Sequence, residues 1–202
     1  MTSEYLSRPL RTVAQARAEI ALAKRPRYIS TKEAAVLLRK QLKVKWPAVK
    51  FSVRFESYSM GSHINVRWTD GPTQRDVEQL SDAYGGDRFD GMIDMQYASE
   101  SWLLPDGSVA WAGTTGTEGS KGVVAASDSE PPCPGAARVR ISGSRPSCSR
   151  EISPAFEAKC LEEWNGLTPE RQIELLREVH FPRWPEERPG YRYAIYMAEG
   201  SR

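Results

Sequence analysis

The chain has 202 residues, 40% of them hydrophobic, with six Trp, eight Tyr and a net charge of +2. That length suits one domain with appendages or two small ones, and it can bury a core without help from disulfides or metal. Three cysteines, Cys133, Cys148 and Cys160, make an odd and widely spaced set without a pairing framework, which favours a reducing compartment. No apolar run approaches the ~18 residues of a membrane span and no charged-then-apolar leader is visible, so the expected location is the cytoplasm. The small net charge hides a polarity: residues 1–50 hold twelve Lys/Arg against three Glu, whereas residues 51–130 hold five basic and thirteen acidic residues. Such asymmetry suggests a basic partner-facing arm, or packing between the basic and acidic segments.

In chain order, residues 12–25 carry Val13, Ala16 and Ile20 on one helical stripe that Pro26 stops. Ser30 and Glu33 form a capping box, and a helix follows to about Trp46 with Ala34, Leu37, Leu38 and Leu42 facing inward. Residues 51–72 read as a β-hairpin. Phe51, Val53 and Phe55 alternate with polar residues, as do Ile64, Val66 and Trp68. Pairing Phe55 with Ile64, Val53 with Val66 and Phe51 with Trp68 gives one apolar face and one polar face, and a one-residue slip would mix them.

Asp70-Gly71 reads as a turn, and Thr73 with Asp76 caps a further helix bearing Val77, Leu80 and Tyr84, with Gly85 as its natural C′ terminator. Phe89–Tyr97 returns to strand alternation. Trp102–Leu104 and Ser108–Trp111 flank Pro105-Asp106-Gly107 as a second hairpin. Residues 114–134, rich in Gly, Ser, Thr and Pro, read as a flexible excursion. Arg138–Ser142 is a predicted strand. Ser153-Pro154 and Thr168-Pro169 each open a helix, hydroxyl at the cap and Pro at the first position, and Tyr191–Met197 is a last β-like run.

Few combinations of residues suggest chemistry. Asp87, Asp90, Asp94 and Asp106 crowd the third strand in the manner of a carboxylate set for Mg²⁺, but no EF-hand spacing is present and Asp is common in turns. His63 with Ser57, Ser59 or Asp70 would be a hydroxyl nucleophile and its base, yet nothing resembles a nucleophile elbow. The cysteines with His63 and His180 lack the close pairs of a zinc site, and Cys160 falls on an apolar helical stripe. Gly85-Gly86 lacks a phosphate-loop Lys.

Nucleic-acid binding has more to support it. Arg54, Asn65 and Arg67 on the polar hairpin face, with Arg39, Lys40 and Lys43 on the preceding helix, are a set able to neutralise phosphates. Trp184, Tyr191, Tyr193 and Tyr196 interleave with Arg183, Arg188 and Arg192, the mixture of a stacking platform. The acidic middle third weighs the other way.

Four blocks resemble one family. They are Tyr28-Ile29-Ser30-Thr31-Lys32-Glu33-Ala34-Ala35, Val49-Lys50-Phe51-Ser52-Val53-Arg54, Asn65-Val66-Arg67-Trp68-Thr69-Asp70-Gly71-Pro72 and Phe89-Asp90-Gly91-Met92. Together they resemble the large polyvalent protein associated domain of type 29, found in proteins of phages and conjugative elements. The likeness is dense over residues 28–97. It resumes at Arg138–Ser153, where a strand running into Arg150-Glu151-Ile152-Ser153 is similar to the family's closing segment and makes 114–134 an excursion inside one domain. The resemblance implies a mobile-element context and carries over no catalytic residues.

The expected architecture is α+β, a small mixed or antiparallel sheet built on the central hairpin with helices on one face and further helices at the C-terminus. Residues 1–27 form a basic arm, 28–153 the domain, and 154–202 the C-terminal helices and terminal strand. The leading functional reading is a non-enzymatic interaction protein of a phage, plasmid or integrated element, with counter-defence as a candidate role. It binds a protein partner through Arg54, Asn65, Arg67, His63 and Tyr58 on the polar hairpin face and the Ser57–Ser62 loop, without a cofactor. Nucleic-acid binding through that face with Arg39, Lys40 and Lys43 is the alternative, and a metal-dependent enzyme using Asp90 and Asp94 the second.

Overall fold

The computed structural model describes residues 26–90, 95–112, 130–178, 193–195 and 197. The fold is α+β. A short strand β1 (Arg27–Ile29) leads through Ser30 into helix α1 (Thr31–Lys45). The capping box forms as expected: the Ser30 hydroxyl accepts from the Glu33 amide, and the Glu33 carboxylate accepts from the Ser30 amide at 2.9 Å. The box holds the Glu33 carboxyl below its ordinary range, the Ser30 backbone bond being the largest cause.

Strands β2 (Ser52–Tyr58) and β3 (Gly61–Thr69) pair antiparallel in the predicted register, with Val53 opposite Val66 and Phe55 opposite Ile64. The Phe51 and Trp68 rings continue it, 5.6 Å apart. The turn after β3 places both Asp70 and Gly71 at positive φ. Thr73 then caps α2 (Gln74–Ser81) with Asp76 in the box position, and a 3₁₀ turn follows at Asp82–Tyr84. Gly85 does end this segment, but in an extended conformation. Its missing side chain serves close packing, since a Cβ there would meet the Arg145 backbone at 2.7 Å. A Cβ on Gly86 would lie 1.7 Å from the Ile141 carbonyl oxygen.

The expected strand over 89–97 is two strands. β4 (Asp87–Asp90) and β5 (Met95–Ala98) run antiparallel, with Asp90 opposite Met95. Asp90-Gly91 is itself a hairpin signal, which the continuous alternation of apolar residues masked. β6 (Ser101–Leu103) and β7 (Val109–Trp111) form the second predicted hairpin, with Gly107 at φ 83° in its turn. β8 (Ala137–Ile141) and β9 (Ser147–Glu151) complete the strands, and α3 (Pro154–Asn165) and α4 (Pro169–Glu178) start at the predicted prolines. The β-like run at 191–197 is corrected where it is described. Tyr193–Ile195 is helical, the Met197 amide donates to the Tyr193 carbonyl, and Ala194 is fully buried against Phe156 and Cys160. The predicted arm helix over 12–25 and most of the 114–134 excursion lie outside the described residues.

Two mixed sheets take the place of the single sheet expected. One has the order β1-β8-β6-β7 and the other β2-β3-β9, each containing one parallel pair. They share one core. Ala34, Leu38 and Leu42 of α1 meet Val53, Ile64, Val66 and Trp68 of the three-stranded sheet and Ile29, Val139 and Ile141 of the other. The hairpin's apolar face is thus covered by α1, and α2 packs on β9. Phe55 departs from the pattern. It belongs to the apolar stripe but is 44% exposed, because it sits on the edge strand toward the hairpin tip.

Candidate interaction surface

Alternation along β2 and β3 sends Ser52, Arg54, Glu56 and Tyr58, with His63, Asn65, Arg67 and Thr69, to the side opposite the core. The parallel pairing of β9 sets Ser147 beside Asn65, Ser149 beside Arg67 and Glu151 beside Thr69, widening this outer face to three strands. Every one of these side chains is exposed or half-buried. All five residues expected to contact a protein partner, Arg54, Asn65, Arg67, His63 and Tyr58, therefore share one face.

Arg54 stands opposite Asn65, and Arg67 lies between Ser52 and Ser149. Glu56 stands opposite His63, with the imidazole Nε2 3.7 Å from the carboxylate. The Tyr58 ring leans over His63, centroids 5.7 Å apart, and packs across Gly61. Two arginines are balanced by two glutamates, Glu56 and Glu151, so the face is close to neutral and rich in hydrogen-bonding groups. At its tip Met60 is 93% exposed and Tyr58 51%.

A network of hydroxyl groups fixes that tip. The Thr31 hydroxyl, at the start of α1, lies 2.6 Å from the Ser62 hydroxyl and donates to the Ser142 carbonyl at 2.9 Å. The Ser142 hydroxyl accepts from the Thr31 amide, and the Ser144 amide donates to the Ser62 carbonyl. Gly143, at φ 89°, lets the loop come this close, since a Cβ there would sit 2.6 Å from the Ser62 carbonyl oxygen. The hairpin end is thus tied to α1 and to the loop after β8. A surface held this firmly loses little conformational entropy on binding.

Catalytic arrangements fare differently. Among the described residues no hydrogen bond joins His63 to Ser57, Ser59 or Asp70; Asp70 instead accepts from the Ser153 amide at 2.8 Å. No group of three or more His, Cys, Asp or Glu among the described residues is placed to hold a metal ion. Asp94 and His180 lie outside them. The three cysteines are free. Burial pushes the Cys148 thiol up to about 11 and also raises that of Cys160, which packs in the α3 core. Such thiols are poor nucleophiles.

The second set of candidate residues is on the other side of the sheet. α1 covers the inner face, so Arg39, Lys40 and Lys43 do not join Arg54 and Arg67. The Arg39 guanidinium donates to the Val53 carbonyl at 2.6 Å, capping the free edge of β2, and Lys40 and Lys43 are exposed. Of the C-terminal aromatics, Tyr193 is half-buried against Trp164, ring centroids 5.6 Å apart; Trp184, Tyr191 and Tyr196 lie outside the described residues.

Sequence reasoning missed Arg150. Its guanidinium donates to five main-chain carbonyls, those of Asp70, Gly71, Ala194, Ile195 and Met197, while stacking on Phe156. It joins the end of the hairpin sheet to the C-terminal segment. No local signal marks it, because every acceptor is at least forty-four residues away.

No helix among the described residues is long and apolar enough to cross a membrane. No curated protein and no solved structure gives a significant match to the chain. The match to a protein family covers α1, the hairpin and the strands that follow, leaving β8, β9 and the C-terminal helices beyond its end. Residues 29–125 match the family model of the large polyvalent protein associated domain 29, and over that span the chain is similar to this family.

Proposed function

We propose that this protein is a non-enzymatic interaction module of a mobile genetic element, acting in the host cytoplasm by binding a protein partner through the outer face of β2–β3–β9 and the Ser57–Ser62 loop. The family itself points to a phage or mobile-element association; counter-defence is the role we assign within that context. The observation that carries the reading is a three-stranded sheet that, among the described residues, is packed on one side only. Its outer side presents Arg54, Asn65, Arg67 and His63, and Tyr58 and Met60 project at a tip that the Thr31–Ser62–Ser142 hydroxyls hold in place. Exposed aromatic and Arg side chains on a rigid support are the usual anchors of protein interfaces. The charge balance of the face favours a protein surface over a polyanion, since phosphate binding needs an excess of cations.

The test is a double variant, Arg54→Ala with Arg67→Ala, compared with the wild type in capture from host lysate and in thermal melting. Loss of a specific captured protein with an unchanged melting temperature is expected. A large fall in melting temperature would instead give these arginines a structural role.

A further inference from the structure

A second surface lies where α1 ends and the chain turns into β2. Arg39, Lys43, Pro47, Ala48, Val49, Lys50 and Phe51 line a groove of about 370 Å³ there. Its composition differs from that of a groove at the start of α1, where Glu33 sits among apolar walls and lies 3.9 Å from Arg27. Here three cations stand around an apolar floor, and no carboxylate lines it. Lys43 and Lys50 have no ion-pair partner among the described residues, and both are exposed. Part of this charge suits the helix end, since Lys43 and Lys45 lie in the last turn of α1, where the dipole favours cations. Arg39, a turn earlier, and Lys50, beyond the helix, lie outside that effect.

The floor is aromatic at one end. Phe51 packs with Trp46, ring centroids 5.9 Å apart, and the Lys45 ammonium lies 4.7 Å over the Trp46 ring. Phe51 is only half-buried, so part of it remains available to the groove. A rim of cations around a floor of Pro, Val and Phe complements a ligand that alternates anionic groups with flat apolar ones. We propose that this groove binds single-stranded nucleic acid, with phosphates on Arg39, Lys43 and Lys50 and a base on the Pro47–Phe51 floor. Its volume falls at the lower end of ligand-sized pockets, suiting one nucleotide within a longer strand. The proposal is independent of the protein-binding face, which lies on the opposite side of β2.

The experiment is fluorescence anisotropy of the full chain with a labelled oligothymidylate of about twelve nucleotides. Three phosphate contacts on a single strand imply affinity falling about 20-fold between roughly 50 and 200 mM salt. Lys43→Ala with Lys50→Ala should weaken binding at the lower salt at least tenfold and remove about two-thirds of the salt dependence, with circular dichroism confirming the fold. Phe51→Leu keeps an apolar floor but removes the ring, and should weaken binding about fivefold at unchanged salt dependence. Arg54→Ala with Arg67→Ala should bind the oligonucleotide as the wild type does. No saturable binding at the lower salt, or binding insensitive to Lys43 and Lys50, would overturn the proposal. So would equal competition by polyglutamate of matched charge, which would assign the groove to an acidic protein segment.

Discussion

Replacing Arg150 by Met tests how the C-terminal segment is held. The substitution keeps an unbranched stem over Phe156 and removes all five donors. The acceptors it abandons are the carbonyls of Asp70, Gly71, Ala194, Ile195 and Met197, at 2.9–3.3 Å. A hydrogen bond to a charged group contributes about 1.5–3 kcal/mol and a buried orphan carbonyl costs about 1–3 kcal/mol. The five do not add, because they share one guanidinium that is itself only partly buried. Ala194 is fully buried, so its carbonyl is the one least able to find water. The expected loss is about 3 kcal/mol, on the order of a hundredfold in the folding equilibrium. Urea denaturation gives the total, and hydrogen exchange at the Met197 amide locates it, since that amide bonds the Tyr193 carbonyl inside the clamped segment. Arg150→Lys should be intermediate, because an ammonium offers three donors from a point where the guanidinium offers five in a plane. A Met variant within about 0.5 kcal/mol of wild type, or a Lys variant equal to it, would refute the clamp.

Thr31→Val should cost about 2 kcal/mol in urea denaturation, since it strips the Ser62 hydroxyl and the Ser142 carbonyl of a buried partner at nearly constant volume, while Thr31→Ser should stay within about 1 kcal/mol of wild type. Equal stability of the Val and Ser variants would show that the network does not hold the hairpin tip. Cys148 predicts an alkaline loss of stability. Its thiol is raised to about 11 in the folded chain against 9.0 for the free group, so the folded state binds the extra proton between these values. The contribution is complete below pH 9 and falls by about 2–3 kcal/mol as pH rises toward 11. Cys148→Ala should flatten that part of the stability profile; an unchanged slope would assign it to other groups.

The parts of this fold legible in the sequence are those fixed by near neighbours. The two capping boxes, the prolines opening α3 and α4, and the hairpin register each depend on residues a few positions apart or on alternation within one run. The outward-facing set was legible for the same reason, as alternation alone sorts Arg54, His63, Asn65 and Arg67 onto one side. β9 was not. Its sequence, SCSRE, has one buried position, Cys148, and its identity as a strand comes from pairing with β3 just over eighty residues earlier. β1 is short, and its parallel partner β8 is more than a hundred residues away. Gly86 and Gly143 mark approaches to the Ile141 and Ser62 carbonyls that no local pattern announces. The run at 191–197 misled because aromatic and β-branched residues suggest a strand, whereas the burial of Ala194 against α3 and the Arg150 clamp select a helical turn there.

The separation of the two basic sets changes how binding should be interpreted. Read along the chain, Arg39, Lys43, Arg54 and Arg67 form one basic stretch, and a single phosphate-binding surface is the natural inference. The pairing of β2 divides them. Its alternation turns Arg54 outward, and its free edge, through the Val53 carbonyl, holds Arg39 on the side of α1. Outward, the arginines share the face with Glu56 and Glu151, and the charges balance. Toward α1, Arg39, Lys43 and Lys50 line a groove without a carboxylate. Binding to the outer face should therefore vary little with salt and depend on side-chain fit, whereas binding in the groove should weaken steeply as salt rises. Salt dependence thus identifies which surface a ligand occupies before any variant is made.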